Sequence, residues 1–381
     1  MMENIFSNSM AQVIVPQSKK APRNGEGSAV LLKDEKVFLV YSKFISGGED
    51  HDNAYLLGGN LDIDTGEIKD SRPFFHSESS LNEMCASLER LKNGDIGMVF
   101  IRKSVANKDS IFFAKSSDEC NRWTEPINIS SIVSDQYICV NNDRLRQFSS
   151  GRIAIPCAFY PEGKFDQISE LGMFYSDDDG KTWSVSNRIK ILEKNIRPPH
   201  KIFFEIQEEW KRLSTLPIIE QEPGVEELVD GRILLYCRTT IGYMYQAYSS
   251  NGGETWSELK AAPEIITPCS PQSIRRIPGQ NRLLCIYNDR RDIAFAESEI
   301  WDWRTPLSVA VSDDNAKSWQ ILGNIEDDSH NYCYTNILFL KDKILLTYYE
   351  SENIKEVRRN LASLKMRILS APSVSGKKLP A

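Results

Sequence analysis

One short phrase constrains this chain more than any other: Ser-x-Asp-x-Gly-x-Thr-Trp, complete at residues 176–183 (SDDDGKTW) and worn at 116–123 (SSDECNRW), 249–256 (SSNGGETW) and 312–319 (SDDNAKSW). Its tryptophans, Trp123, Trp183, Trp256 and Trp319, stand 60, 73 and 63 residues apart. That period marks a repeated supersecondary unit. Each position has a job in a hairpin turn: Ser and Asp oxygens accept from turn N–H groups, Gly tolerates positive φ, and Trp anchors the turn by packing. A calcium loop is the competing reading, but no Glu follows at the twelfth position and no helices flank it. No metal site is expected.

A second signal repeats six times. Polar turn residues followed by an apolar run occur at 33–38, 92–96, 150–153, 230–233, 280–283 and 341–344. Each reads as a hairpin between two strands. Units of four strands at this spacing predict an all-β, six-bladed β-propeller. The stretch 197–219 breaks the spacing; Phe203 to Leu213 has helical periodicity and follows two prolines, predicting a short helical insertion on one rim. The expected organisation is an N-terminal extension at 1–28, the propeller at 29–368 and a disordered tail at 369–381.

The chain has 381 residues, 41% hydrophobic, which suffices for one large repeated domain. Its net charge of −7, with basic residues scattered, argues against a nucleic-acid partner. The eight cysteines lie far apart without a C-x-x-C pair, and several sit in apolar runs, so they read as buried free thiols. No secretory leader or membrane-spanning stretch is visible, giving the expectation of a cytoplasmic protein with no membrane partner. No cofactor is called for, and the oligomeric state is not readable.

With these turns in place the chain resembles the sialidase (neuraminidase) superfamily, whose turn phrases are Asp boxes, over roughly residues 30 to 365. The resemblance implies a retaining exo-glycosidase with a tyrosine nucleophile, a carboxylate that activates it, an aspartate acid/base and three arginines that grip the sugar carboxylate. Glu222 and Arg238 sit at matching ends of one hairpin and resemble the tyrosine's base and a clamp arginine; Glu226 and Glu227 are rivals for the base. Arg304, before the strand leading to the last Asp box, resembles another clamp arginine, with Trp301 and Trp303 beside it as stacking or core residues. Tyr334 resembles the nucleophile, Tyr332 being the alternative, and Glu350 resembles an arginine-orienting partner. Asp109, on a polar loop, resembles the acid/base and Arg102 an additional substrate-binding arginine.

The first clamp arginine is missing from the segment where the family's Phe-Arg-Ile-Pro is sought; Met84 stands there. Arg72, Arg90, His76, Arg144, Arg275 and Arg290 are the available substitutes. The expected function is therefore a sialidase-like glycoside hydrolase acting on an anionic or polar terminal sugar, not necessarily ordinary sialic acid. A carbohydrate-binding or structural propeller and an inverting hydrolase with paired carboxylates are the alternatives.

Overall fold

The computed structural model describes residues 6, 9–76, 80–104, 109–134, 137–161, 169–196, 220–290, 304–352, 361–371 and 374. The expected helical insertion at 197–219, Trp301 and Trp303, and all but Ala371 and Val374 of the tail beyond Ser370 lie outside the described residues. Ala371 and Val374 are buried.

Each turn signal of the second repeat lies between two antiparallel strands. The hairpins are Asn24–Leu31 with Val37–Phe44, Ser80–Arg90 with Ile96–Ser104, Arg146–Gln147 with Ile153–Tyr160, Glu220–Glu227 with Ile233–Thr239, Ser273–Arg276 with Leu283–Asn288, and His330–Phe339 with Lys343–Glu352. The first strand of each hairpin lies innermost. Its neighbours alternate less than a one-sided sheet would: Ile153–Tyr160 is buried at every position, because sheets pack against both of its faces.

The architecture is all-β and propeller-like, but the hydrogen-bonded sheets are five, not the six separate ones expected. Four stand alone with four or five strands. The other has eight, because the units built on Asn24–Leu31 and Ser80–Arg90 meet through one parallel pair, Ala54 with Asn82. Apolar clusters fill the spaces between consecutive units around the ring. Val30, Val40 and Leu56 meet Leu88 and Met98, for example, and Ala29 and Leu39 meet Leu345 and Met366. The stretch 1–28, read as an extension, supplies strand Met10–Val15 and the start of Asn24–Leu31; the former pairs with Ser363–Ser370 and joins the chain's beginning to its last sheet. Among the described residues no helix is long and apolar enough to cross a membrane.

The four Asp boxes share one hydrogen-bond network. The first-position serine hydroxyl accepts from the fifth residue's N–H at 3.0, 2.9, 2.9 and 3.0 Å in the boxes beginning at Ser116, Ser176, Ser249 and Ser312. That fifth residue has positive φ in all four: Cys120 66°, Gly180 83°, Gly253 87° and Ala316 62°. Register places the boxes at one end of the strands. Ser249 pairs with Ile233, and Ile233 with Glu227, so the turn lies far from Glu222.

Candidate active site

Four innermost strands break register toward the end opposite the Asp boxes. The breaks lie between Gly25 and Ser28, Met84 and Ser87, Gln221 and Gly224, and Cys333 and Asn336. Within each, one residue adopts a left-handed backbone: Glu26 at φ 54°, Cys85 at 58°, Glu222 at 49° and Tyr334 at 59°. Bulges of this kind re-aim a side chain, and a left-handed non-glycine residue costs about 1–3 kcal/mol. All four side chains line one cavity of about 320 Å³.

Tyr334 and Glu222 meet in that cavity. The Tyr334 hydroxyl donates to Glu222 Oε1 at 3.2 Å, and Glu222 Oε2 lies 2.9 Å from Arg238 Nη1. Arg238 Nη2 donates to Gln221 Oε1 at 2.8 Å. Burial pushes the Tyr334 phenol well above its ordinary pKa, Glu222 adds to the rise, and Arg304 and Arg238 oppose it. The phenol is thus held neutral, with its hydroxyl directed at the Glu222 side chain.

Arg304 lies over the Tyr334 ring, 5.4 Å from its centroid, and donates to the Tyr349 hydroxyl at 2.9 Å. Among the described residues it has no carboxylate partner, and its buried Nε has no hydrogen-bond acceptor. A guanidinium so placed is an unmet demand for an anion.

A third arginine lines the same cavity: Arg23, from within the stretch read as an extension. It is ion-paired with buried Glu26, and its Nη1 is 2.6 Å from Asp50 Oδ1. Burial works against its charge, yet Glu26 and Asp50 outweigh this and hold its pKa well above the ordinary value. Among the described residues the cavity therefore contains three arginines, and Met84, at the position searched for one, lines its wall as an apolar group. Of the substitutes weighed, Arg72 binds the Cys120 carbonyl, Arg90 pairs with Glu119, His76 with Glu83, and Arg275 with Asp143, while Arg144 and Arg290 donate to the Gln272 and Thr305 carbonyls. None lines the cavity.

Two aspartates complete the polar wall. Asp109 is buried beside Lys103, with Nζ to Oδ2 at 3.4 Å; burial raises its pKa against the opposing pull of Lys103. Asp50 stands on the lip with 52% of its side-chain surface open. Burial by the surrounding walls would raise its pKa, but Arg23 and Lys103 lower it overall; its open surface screens that effect.

The remaining expected residues lie elsewhere. Arg102 donates to Glu83 and the Phe75 carbonyl and stacks on Phe112, because strand alternation sends Lys103, not Arg102, into the cavity. Glu350 pairs with Lys365 Nζ at 2.5 Å and touches no cavity arginine. The Tyr332 hydroxyl lies beside Ser329 and Asp327, Glu226 lies near Arg146 beyond the cavity, and Glu227 accepts from Ser149. Sequence reasoning missed Arg23, Asp50 and Lys103. The turn at 33–38 carried the signal for Arg23, since an eight-residue strand before it starts at Asn24 and puts Arg23 on the same rim as Glu222.

Fold and cavity together define an Asp-box propeller with a charged axial site. The BNR repeat-like domain model matches residues 90–346, and the chain belongs to that family within the sialidase superfamily. A sialidase of Bacteroides fragilis (strain YCH46) is 22% identical over 253 residues, covering 63% of this chain and 39% of the relative, so the chain spans well under half of that protein. Trypanosoma rangeli sialidase in complex with 2,3-difluorosialic acid, as a covalent intermediate, superposes with a TM-score of 0.72 at 13% identity, covering 98% of this chain and 60% of that one. The Hadza microbial sialidase Hz136 gives 0.70 at 15% identity, covering 96% and 69%. These likenesses establish the fold.

Proposed function

We propose that the chain is a retaining glycoside hydrolase that removes a terminal, carboxylate-bearing sugar, with sialic acid as the first substrate to test. The observation that carries this reading is the 3.2 Å contact of Tyr334 with Glu222 in a cavity lined by Arg23, Arg238 and Arg304. The three guanidiniums, Arg304 above all, suit a sugar carboxylate. The presence of Arg23 removes the reason for expecting an unusual sugar. The eight-stranded sheet is read as two blades sharing an edge contact, which makes six blades in all.

In the first step the Tyr334 oxygen bonds to the anomeric carbon as the glycosidic C–O bond breaks, its proton passing to Glu222 while an aspartate protonates the departing oxygen. Water then attacks the same carbon as its bond to the Tyr334 oxygen breaks, giving its proton to that aspartate, and the departing Tyr334 oxygen regains the proton held by Glu222. Asp109 is the donor expected from sequence. Asp50 is the better placed, because it is on the open lip where a leaving group emerges, whereas Asp109 is enclosed and tied to Lys103. A sugar carboxylate drawing Arg23 away from Asp50 would raise the Asp50 pKa and make it a competent acid.

The test is hydrolysis of 4-methylumbelliferyl N-acetyl-α-neuraminide and of a sialyllactose by wild type, Tyr334→Phe, Asp50→Asn and Asp109→Asn. A proton donor matters little for a good aryl leaving group and greatly for lactose, so Asp50→Asn should lose roughly tenfold on the first and 10²-fold or more on the second. No hydrolysis of either by wild type, with sialic acid binding intact, would favour a carbohydrate-binding propeller instead.

A further inference from the structure

The third sheet has no continuous innermost strand. Cys139 pairs with Ala158 and Arg146 with Ala154, so residues 140–145 span a gap that the partner strand crosses with 155–157. The surplus chain forms a crosspiece over the channel axis. Asn141 lines the cavity containing Tyr334, while Arg146 lines a second cavity of about 530 Å³ toward the Asp-box end. Bonds from the crosspiece reach several sheets: Arg144 and Leu145 N–H groups donate to Ser87 Oγ, both at 2.8 Å, and Arg144 Nη2 donates to the Gln272 carbonyl at 2.8 Å.

The amide nitrogen of Asn142 is engaged twice. Its Nδ2 donates to the Gly27 carbonyl at 2.7 Å and to the Tyr334 carbonyl at 2.9 Å. Those two donors fix the amide's orientation. The Tyr334 carbonyl lies inside the register break between Cys333 and Asn336, where Tyr334 has no paired residue on Lys343–Glu352, so a side-chain partner suits it. The next two residues are held as well: Ser273 Oγ donates to the Thr335 carbonyl at 2.5 Å, and Asn336 Nδ2 donates to Asp143 Oδ1 at 2.9 Å. Asn141, 2% exposed, has an Nδ2 without a partner among the described residues, on the cavity wall.

We propose that the crosspiece is a working part of the active site: Asn142 is a positioning residue that keeps Tyr334 in its left-handed conformation and within reach of Glu222, and Asn141 donates a hydrogen bond to the bound sugar. This rests on Tyr334 being the nucleophile. Releasing the Tyr334 carbonyl lets its peptide relax toward commoner φ/ψ values, which moves the hydroxyl off its 3.2 Å contact. A displacement near 1 Å at a reacting atom costs on the order of 10²-fold in rate. The two neighbours should therefore fail in different parameters.

Steady-state kinetics on 4-methylumbelliferyl N-acetyl-α-neuraminide, with melting temperatures, separate the outcomes. Asn142→Ala should lower kcat by roughly 10²-fold with KM within about threefold, and Asn141→Ala should raise KM roughly tenfold with kcat within about threefold. Asn142→Asp, isosteric but without the amide donors, should show the same kcat loss above neutral pH and serves if the alanine variant does not fold. If Tyr334→Phe is inactive while both soluble Asn142 variants keep kcat, the positioning role is overturned and the nucleophile stands. If kcat, KM and melting temperature of Asn142→Ala and Asn142→Asp all deteriorate together, the role is structural and the proposal is again overturned. Turnover unchanged in Tyr334→Phe, or absent in wild type, refutes the nucleophile reading and the positioning role with it.

Discussion

Glu222 and Tyr334 are neither glycine nor asparagine, yet both hold left-handed backbones facing each other across the cavity. Replacing the tyrosine by phenylalanine removes one hydroxyl and leaves the bulge intact. Tyr334→Phe should lower kcat by roughly 10³-fold or more while leaving the melting temperature within a few degrees, checked by kinetics and calorimetry on one preparation. At this scale the sequence was legible where a residue stands at a fixed offset from a recognisable turn. Glu222, Arg238, Arg304 and Tyr334 do, and all line the cavity. Arg102 failed by one place, since alternation reverses the face at each step and only the register of Ile96–Ser104 shows Lys103 pointing inward. Asp50 belongs to a turn without a motif, and nothing in its neighbourhood announces that Arg23 reaches it.

The hairpins and Asp boxes were readable because their residues are chosen for the turn itself. The bulges were not, because Glu26, Cys85, Glu222 and Tyr334 are poor left-handed formers held there by the surrounding sheets. The boxes also show that positive φ does not by itself demand glycine, as Cys120 and Ala316 adopt it. What singles out Gly180 is space: a Cβ there would lie 2.3 Å from Phe113 Cε1. Gly180→Ala should cost about 1–3 kcal/mol, more than Gly231→Ala, where nothing lies within 4 Å; denaturant melts of the pair decide this. The strand Glu220–Glu227 carries a second consequence. Burial raises the Glu220 carboxyl from 4.5 to about 7. The folded state then binds this proton more tightly than the unfolded chain, so its contribution is present below pH 4.5 and is lost as pH rises toward 7, by about 3 kcal/mol. Glu220→Gln should flatten that part of a melting temperature-versus-pH curve; an unaltered slope would show that Glu220 does not titrate there.

Across the molecule, the ring is closed by Met10–Val15 lying along Ser363–Ser370. Removing residues 2–16 exposes that edge, and an unpaired edge of a large sheet invites association. The truncated chain should melt several degrees lower and scatter light on mild heating, measured beside the full chain at equal concentration. Closure was hidden from sequence reasoning because the pairing is between the two ends of the chain and carries no local signature.

The crosspiece at residues 140–145 gives the propeller a floor. Among the described residues the site is consequently a cup, with its mouth at the end opposite the Asp boxes. In the proposed double displacement the aglycone would have to clear that mouth before water could take its place. A slow-leaving or concentrated alcohol in that mouth would therefore compete with water for the proposed glycosyl-tyrosine, and the ratio of transfer to hydrolysis should climb with acceptor concentration.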